Sequence, residues 1–196
     1  QAENSIKKPD EAQKKLRSAN DDFVRNKTKS NWNDLKSAIT VAEDFRGFNW
    51  EELDQAKKSI KIPDDARKKL KRANDDFVRD MTKSNWNNIN TALTYLKEYS
   101  GFNWEPEKSQ AENSIKKPDE AREKLKSEHG LFNGNPTDTN WNNLRGALTH
   151  AKEYDGFNWS ELSSANSTVN NRRPASWCNT TKDSRHAYCR GHVRKC

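Results

Sequence analysis

Residues 1–23 read QAENSIKKPDEAQKKLRSANDDF, residues 55–77 read QAKKSIKIPDDARKKLKRANDDF, and residues 110–132 read QAENSIKKPDEAREKLKSEHGLF. Three near-identical openings at offsets of 54 and 55 residues are an internal repeat. A repeat decides the fold, because each copy must solve the same packing problem with the same residues. Each copy then reaches a T-x-x-N-W segment ending at Trp32, Trp86 and Trp141, and each closes on G-F-N-W at Trp50, Trp104 and Trp159. The one extra residue falls between 105 and 109, beside Pro106, where a linker tolerates it. The copies are therefore 1–54, 55–109 and 110–164, with a tail at 165–196.

Within a copy the apolar spacing is helical. Ala12, Leu16, Ala19 and Phe23 recur at steps of four, three and four. Pro9 with Asp10 and Glu11 ahead of that stripe reads as a helix start, since proline suits the first helical position and acids suit the positive end of the dipole. After a polar break at 26–30, Ser30 is the expected N-cap of a second helix carrying Trp32, Leu35, Ala38, Ile39, Ala42 and Phe45, with Gly47 as its stop. Asn49 is then expected to cap a third helix with Trp50, Leu53, Ala56 and Ile60, ending before Pro63. The expected fold is all-α: three tandem three-helix units of about 54 residues each, plus a short irregular basic tail that holds the cysteines.

The run T-K-S-N-W-N-D-L-K-S-A-I-T-V-A-E at 28–43, followed by W-E-E-L-D-Q-A-K-K-S-I at 50–60, resembles the FIVAR module. The skeleton recurs as Trp86, Ile89, Ala92 and Leu93, and as Trp141, Leu144, Ala147, Leu148 and Ala151. The G-F-N-W corner and the Pro-Asp helix start depart from that pattern. The resemblance covers most of 1–164 and none of the tail. It implies small helical bundles strung along extracellular and cell-surface proteins, where they serve as non-catalytic spacers or attachment modules.

The 196 residues are 31% hydrophobic and 33% charged, too polar for one large core, yet seven Trp and seven Phe recur at fixed spacing and suit several small ones. No apolar stretch approaches the roughly 18 residues that cross a membrane. Gln1 lies on a repeat boundary, as in a mature chain whose leader has been removed. The tail holds seven basic residues and one acid, so it carries +6 of the chain's +7. Any pull on a polyanion belongs there, with Arg172, Arg173, Arg185, Arg190, Arg194 and Lys195 as the candidate contacts. The basic positions of the body, such as Lys14, Lys15 and Arg17, read as a solvated face balanced by nearby acids.

The six repeated tryptophans, Trp32, Trp50, Trp86, Trp104, Trp141 and Trp159, read as repeat core, because each leads a stripe with Leu and Ala; a ladder of stacking platforms is the other reading. Trp50, Trp104 and Trp159, behind the Gly-Phe-Asn turn, are the set expected at unit junctions. No P-loop, H-E-x-x-H or G-x-S-x-G motif occurs, so no catalytic residue is assigned. Copy three alone carries His129 and His150 and substitutes E-H-G-L at 128–131, then N-G-N-P at 133–136. These changes read as a turn-containing terminal unit adapted to meet the tail, or as a ligand loop.

Cys178, Cys189 and Cys196 lie in the tail, with His186 and His192 between them. Disulfide formation fits a cysteine-free body with a small cysteine-bearing end; a zinc site or free thiols also fit the residues. No metal or other cofactor is assigned. In the oxidised case we expect Cys178–Cys189 within the chain, leaving Cys196 for a second chain. N-x-[ST] sequons at Asn26, Asn158, Asn166 and Asn179 are candidate N-glycosylation sites. These features point to a non-enzymatic, secreted or cell-surface structural protein, a spacer that self-associates or is cross-linked through its tail. The alternative is an extracellular binding module, an adhesin or host-directed factor, gripping an anionic glycan or surface. Nucleic acid is the least favoured partner.

Overall fold

A computed structural model of the chain describes residues 2–45, 47–172 and 174, with side chains from Lys8 onward. Among these residues the protein is all-α, with eight helices and no strand. They are α1 (Ala2–Arg25), α2 (Lys29–Glu43), α3 (Glu51–Ser59), α4 (Ile62–Arg79), α5 (Lys83–Leu96), α6 (Glu107–Gly134), α7 (Asp138–Ala151) and α8 (Ser160–Asn171). The chain divides into two compact units, one of residues 1–75 and 88–111, the other of 76–87 and the chain from Glu112 on. The division falls inside α4, α5 and α6.

In the first unit α1, α2 and α3 pack on one another. Leu16 and Phe23 of α1, Leu35, Ile39 and Ala42 of α2, and Ala56 of α3 are buried there. Alanine at the contacts lets short helices approach closely enough to shield a core that has few large side chains. In the second unit α7 packs on α8, with Trp141, Leu144, Ala147, Leu148, Ala151 and Ala165 buried. Leu125 and Phe132 of α6 are fully buried in the same unit.

Where the first helix of a copy gives way to the second, the T-x-x-N-W segment does two jobs. Thr28, Thr82 and Thr137 accept a hydrogen bond from the backbone N–H three residues on, at Asn31, Asn85 and Asn140. The cap of α2 is thus Thr28 and not the expected Ser30, because the helix begins at Lys29. The side-chain amide of the same asparagine donates backwards to the last carbonyls of the preceding helix: Asp22 and Asn26, Asp76 and Asp80, Leu131 and Asn135. One residue thus adds a second hydrogen bond to carbonyls at one helix end, which already accept backbone N–H groups, while its own N–H is capped at the next helix start.

Four further expectations are corrected. Pro9 and Pro118 do not start helices but lie inside α1 and α6; only Pro63 sits at a start, in the first turn of α4. A mid-helix proline removes a hydrogen bond, but Pro118 is fully buried and is preceded by buried Ala111 and Ser114, so packing holds the helix on both sides of it. Trp50, not Asn49, occupies the N-cap position of α3, and it makes no side-chain capping bond. The turn expected at 133–136 is shorter, because α6 runs on to Gly134 with Phe132 anchored in the core. The tail is helical where it begins: α8 continues through Ala165 to Asn171, following the stripe of Trp159, Leu162, Ala165 and Val169.

Gly130 therefore lies in a helix interior, with open space where a Cβ would stand. Gly130→Ala is expected to raise stability in urea unfolding by about 1 kcal/mol, the difference in helix propensity. A loss of stability would mean that α6 breaks there.

Candidate functional site: a recurring aromatic joint

The residue that follows each Asn clamp is tryptophan, and in two copies it reaches forward into the next. In the first unit the Trp32 indole N–H donates to the Ile60 carbonyl at 2.9 Å. Ile60 is the C-cap of α3, so its carbonyl lies beyond that helix's own ladder and needs an outside donor. The Trp32 ring meets Phe102 edge to face, with centroids 6.1 Å apart. Lys29 Nζ lies 3.6 Å from the Trp32 ring centroid and 5.0 Å from that of Phe102. The Lys29 N–H donates to the Ser100 carbonyl, and the Ser100 N–H to the Lys27 carbonyl, so Thr28 and Ser100 form an isolated parallel bridge. Lys27 adds a 2.6 Å ion pair with Glu98.

The second unit repeats the arrangement with its own residues. Trp86 donates to the Ile115 carbonyl at 2.9 Å and meets Phe157 at 6.1 Å, edge to face. Lys83 Nζ stands 3.5 Å from the Trp86 centroid and 4.8 Å from that of Phe157, and its N–H donates to the Asp155 carbonyl. Each joint combines a cation over an aromatic face, an edge-to-face pair and a hydrogen bond to a main-chain carbonyl, each worth on the order of 1 kcal/mol.

The corner that receives the tryptophan is built by G-F-N-W. Gly101 and Gly156 take φ of +75° and +74°, a region that penalises any Cβ. The lysine Cβ of the joint lies 3.4 Å from where a glycine Cβ would be, in both cases. Phe102 stacks on Trp104 at 5.3 Å, and Tyr99 packs edge-on against both. Phe157, Trp159 and Tyr154 form the equivalent cluster. Burial holds the Tyr99 and Tyr154 hydroxyls above their usual pKa.

A polar bridge also recurs between the first and third helical segments. Gln13 and Arg17 bond Glu52, Arg67 pairs with Glu107 at 2.9 Å, and Arg122 pairs with Glu161 at 2.9 Å. The Arg17 hydrogen bond, ahead of backbone and Gln13 bonds, pulls the Glu52 carboxyl down to about 2, and the arginine bonds of Glu107 and Glu161 lower those carboxyls too.

Of the six tryptophans expected in repeat cores, Trp104, Trp141 and Trp159 are buried, while Trp32, Trp50 and Trp86 are half-buried. Trp104 and Trp159 stand at junctions as expected, but Trp32 and Trp86, expected in a core stripe, reach the same junctions and meet Phe102 and Phe157 there. Of the polyanion candidates, Arg172 donates to Asn133 at 2.5 Å and lies 5.5 Å from the Phe132 ring centroid. His129 contacts Thr168 at 2.8 Å, and burial, then the Arg172 charge, lowers its pKa. The substituted stretch of copy three thus meets the end of α8. Among the sequons Asn26 and Asn158 are exposed, and Asn166 accepts from Lys152. Arg173, Arg185, Arg190, Arg194, Lys195, Asn179, Cys178, Cys189 and Cys196 lie outside the described residues, as do the disulfide and zinc readings that depend on them. Among the described residues no His, Cys, Asp and Glu group fits a metal ion, and no helix is long and apolar enough to cross a membrane.

Sequence reasoning missed the joint lysines, the asparagine clamps and the glutamates at 52, 107 and 161. Their signal was present: the lysines and asparagines occupy the same position in successive copies, and of the glutamates Glu107 alone is shifted, by the extra residue beside Pro106. Comparison with family models, curated proteins and solved structures finds no match to this chain.

Trp32→Phe and Trp86→Phe keep the ring contacts but remove the indole donor from the Ile60 carbonyl at the end of α3 and from the Ile115 carbonyl inside α6. Each is expected to cost about 1–2 kcal/mol in urea unfolding, and a change under about 0.5 kcal/mol would show the indole bond to be idle. Glu52 gives a pH signature. Its folded pKa, about 2, lies below its ordinary 4.5. Its contribution is therefore complete above about pH 4.5 and is lost as pH falls towards 2. The fall in Tm across that window should be shallower in Glu52→Gln, and an unchanged slope would remove Glu52 from the acid response.

Proposed function

We propose that this chain is a secreted or cell-surface structural protein. Three tandem three-helix units act as a spacer, and the tail from about residue 165 links subunits through charge and sulfur. The observation that carries the reading is that one joint is built twice, from the same residue types in the same register. A joint of that kind holds each copy against the next in one repeated geometry, which is what a spacer requires and what a catalytic site has no need of. The residues of both joints are engaged with one another and leave no nucleophile, acid or base directed at a substrate. The resemblance to FIVAR modules, with their non-catalytic extracellular role, supports the same reading.

Cross-linking is the part of this function that chemistry can test first. Native protein run on a non-reducing gel, with mass spectrometry before and after reductant, should give a covalent multimer that collapses to one chain. A monomer with three free thiols would overturn both the cross-link and the extracellular placement inferred from it.

One observation favours a second reading as an extracellular binding module: +6 of the +7 net charge lies in residues 165–196. Because α8 runs to Asn171 and Pro174 is buried, the informative truncation removes 175–196. Under this reading, binding to an anionic glycan saturates, weakens with salt and is lost in that truncation.

A further inference from the structure

The corner of copy one has every part of a joint except the neighbour. Phe45, Phe48 and Trp50 stand where Tyr99, Phe102 and Trp104 stand in copy two, and they are grouped in the same way, with Phe48 5.7 Å and Phe45 6.0 Å from Trp50. Their exposure differs. Trp104 and Trp159 are each 9% exposed and Tyr99 and Tyr154 are buried, whereas Trp50 and Phe45 are only half-buried and Phe48 is 50% exposed. A Cβ on Gly47 would meet nothing within 4 Å, where those of Gly101 and Gly156 would meet a joint lysine. A pocket of about 650 Å³ opens at this corner, lined by Phe45, Phe48, Trp50 and Leu53 together with Glu51, Asp54 and Lys57. The aromatic rings of that lining suit an arriving indole and its acids an arriving lysine, while the Lys57 ammonium is already paired with Glu43 at 2.9 Å. Asp44 stands where Glu98 of copy two receives Lys27.

The other half of a joint is present as well. Trp32 and Trp86 donate to Ile60 and Ile115, each the sixth residue of its copy. The sixth residue of copy one is Ile6, and residues 1–6 are identical to 110–115, the end of the third helical segment in the preceding copy. The register of α1 therefore begins inside a third helix, as α6 does.

We propose that this face docks a further copy of the same repeat, placed ahead of residue 1, whose T-K-x-N-W helix start inserts Trp against Phe48 and Lys over both rings. A second molecule of this chain is the poorer occupant. Its Lys29–Trp32 and Lys83–Trp86 pairs are already engaged in joints, and its third T-x-x-N-W segment carries Asp138 in place of the lysine and has Trp141 buried.

The test is a chain lengthened by a duplicate of residues 1–54 joined ahead of Gln1. The seam then reads EELD-QAENSI, as the natural 51–60 reads EELDQAKKSI. Phe48→Ala in the original copy should lower Tm by about 2–4 °C more in the lengthened chain than in the ordinary one, and Phe102→Ala should cost the same in both. Equal Phe48→Ala shifts in the two chains would overturn the proposal. So would a lengthened chain whose added copy brings no added helix by circular dichroism. Self-association of the ordinary chain that Phe48→Ala abolishes would make a second molecule the occupant, and would also overturn it. None of these outcomes bears on the tail, so the proposal stands or falls apart from cross-linking.

Discussion

The indole N–H of Trp32, and again that of Trp86, bonds a main-chain carbonyl that belongs to the next copy of the sequence. Most else in the chain depends on that reach. Helices of nine to eighteen residues, such as α3, α5 and α4, are marginal in water by themselves. The carbonyl at the end of α3 would face the cost of an unmet acceptor without Trp32. Order in one copy is therefore conditional on its neighbour. Repeat proteins distribute stability in this way, as intrinsic terms plus nearest-neighbour terms. Here the neighbour term has an address: one indole, one lysine and one phenylalanine in each joint.

That arrangement explains how so polar a chain folds. Its charges are not idle solvation. Arg17, Arg67 and Arg122 hold acids on the third helical segment, Lys29 and Lys83 cover aromatic faces, and Lys27 pairs with Glu98. Exposed ion pairs taken singly contribute little. Their value here lies in direction: a glutamate held below its ordinary pKa by an arginine, or a lysine laid over two rings, fixes the angle at which a helix meets its corner. The apolar residues can then be few, because polar contacts define where each small core closes.

The repeat, the helical stripes and the all-α class were legible because they depend on spacing. Leu16, Leu35 and Phe23 follow from periodicity and are buried. What spacing could not disclose was direction. Trp32 leads a stripe with Leu35 and Ile39, and reads as core on that ground. Its indole points instead to a carbonyl 28 residues away, which no local pattern encodes. Pro9 and Pro118 obey the preference for a helix start, yet tertiary packing carries the helix through them. Ser30 lost the cap to Thr28, two residues earlier, a choice that a run of Thr, Lys and Ser leaves open. The lysines were masked by abundance: in a chain with 36 basic residues, the two that lie on tryptophan stand out only when the copies are aligned with one another.

Copy three shows how few changes alter the contacts of such a unit. It keeps the threonine cap, the asparagine clamp, the Arg122–Glu161 bridge and the aromatic corner. It departs at the positions that face onward: Asp138 replaces the joint lysine, and Pro136 stands where copy one has Lys27. Trp141 is buried, where Trp32 and Trp86 remain half-buried even when engaged. On the same side, His129 and Asn133 bond Thr168 and Arg172 at the end of α8. Relative to copies one and two, the cation of the joint is absent and the end of α8 is tied to α6. Both are local substitutions, so a handful of side chains decides whether a 54-residue copy carries the joint's lysine or instead bonds the end of α8.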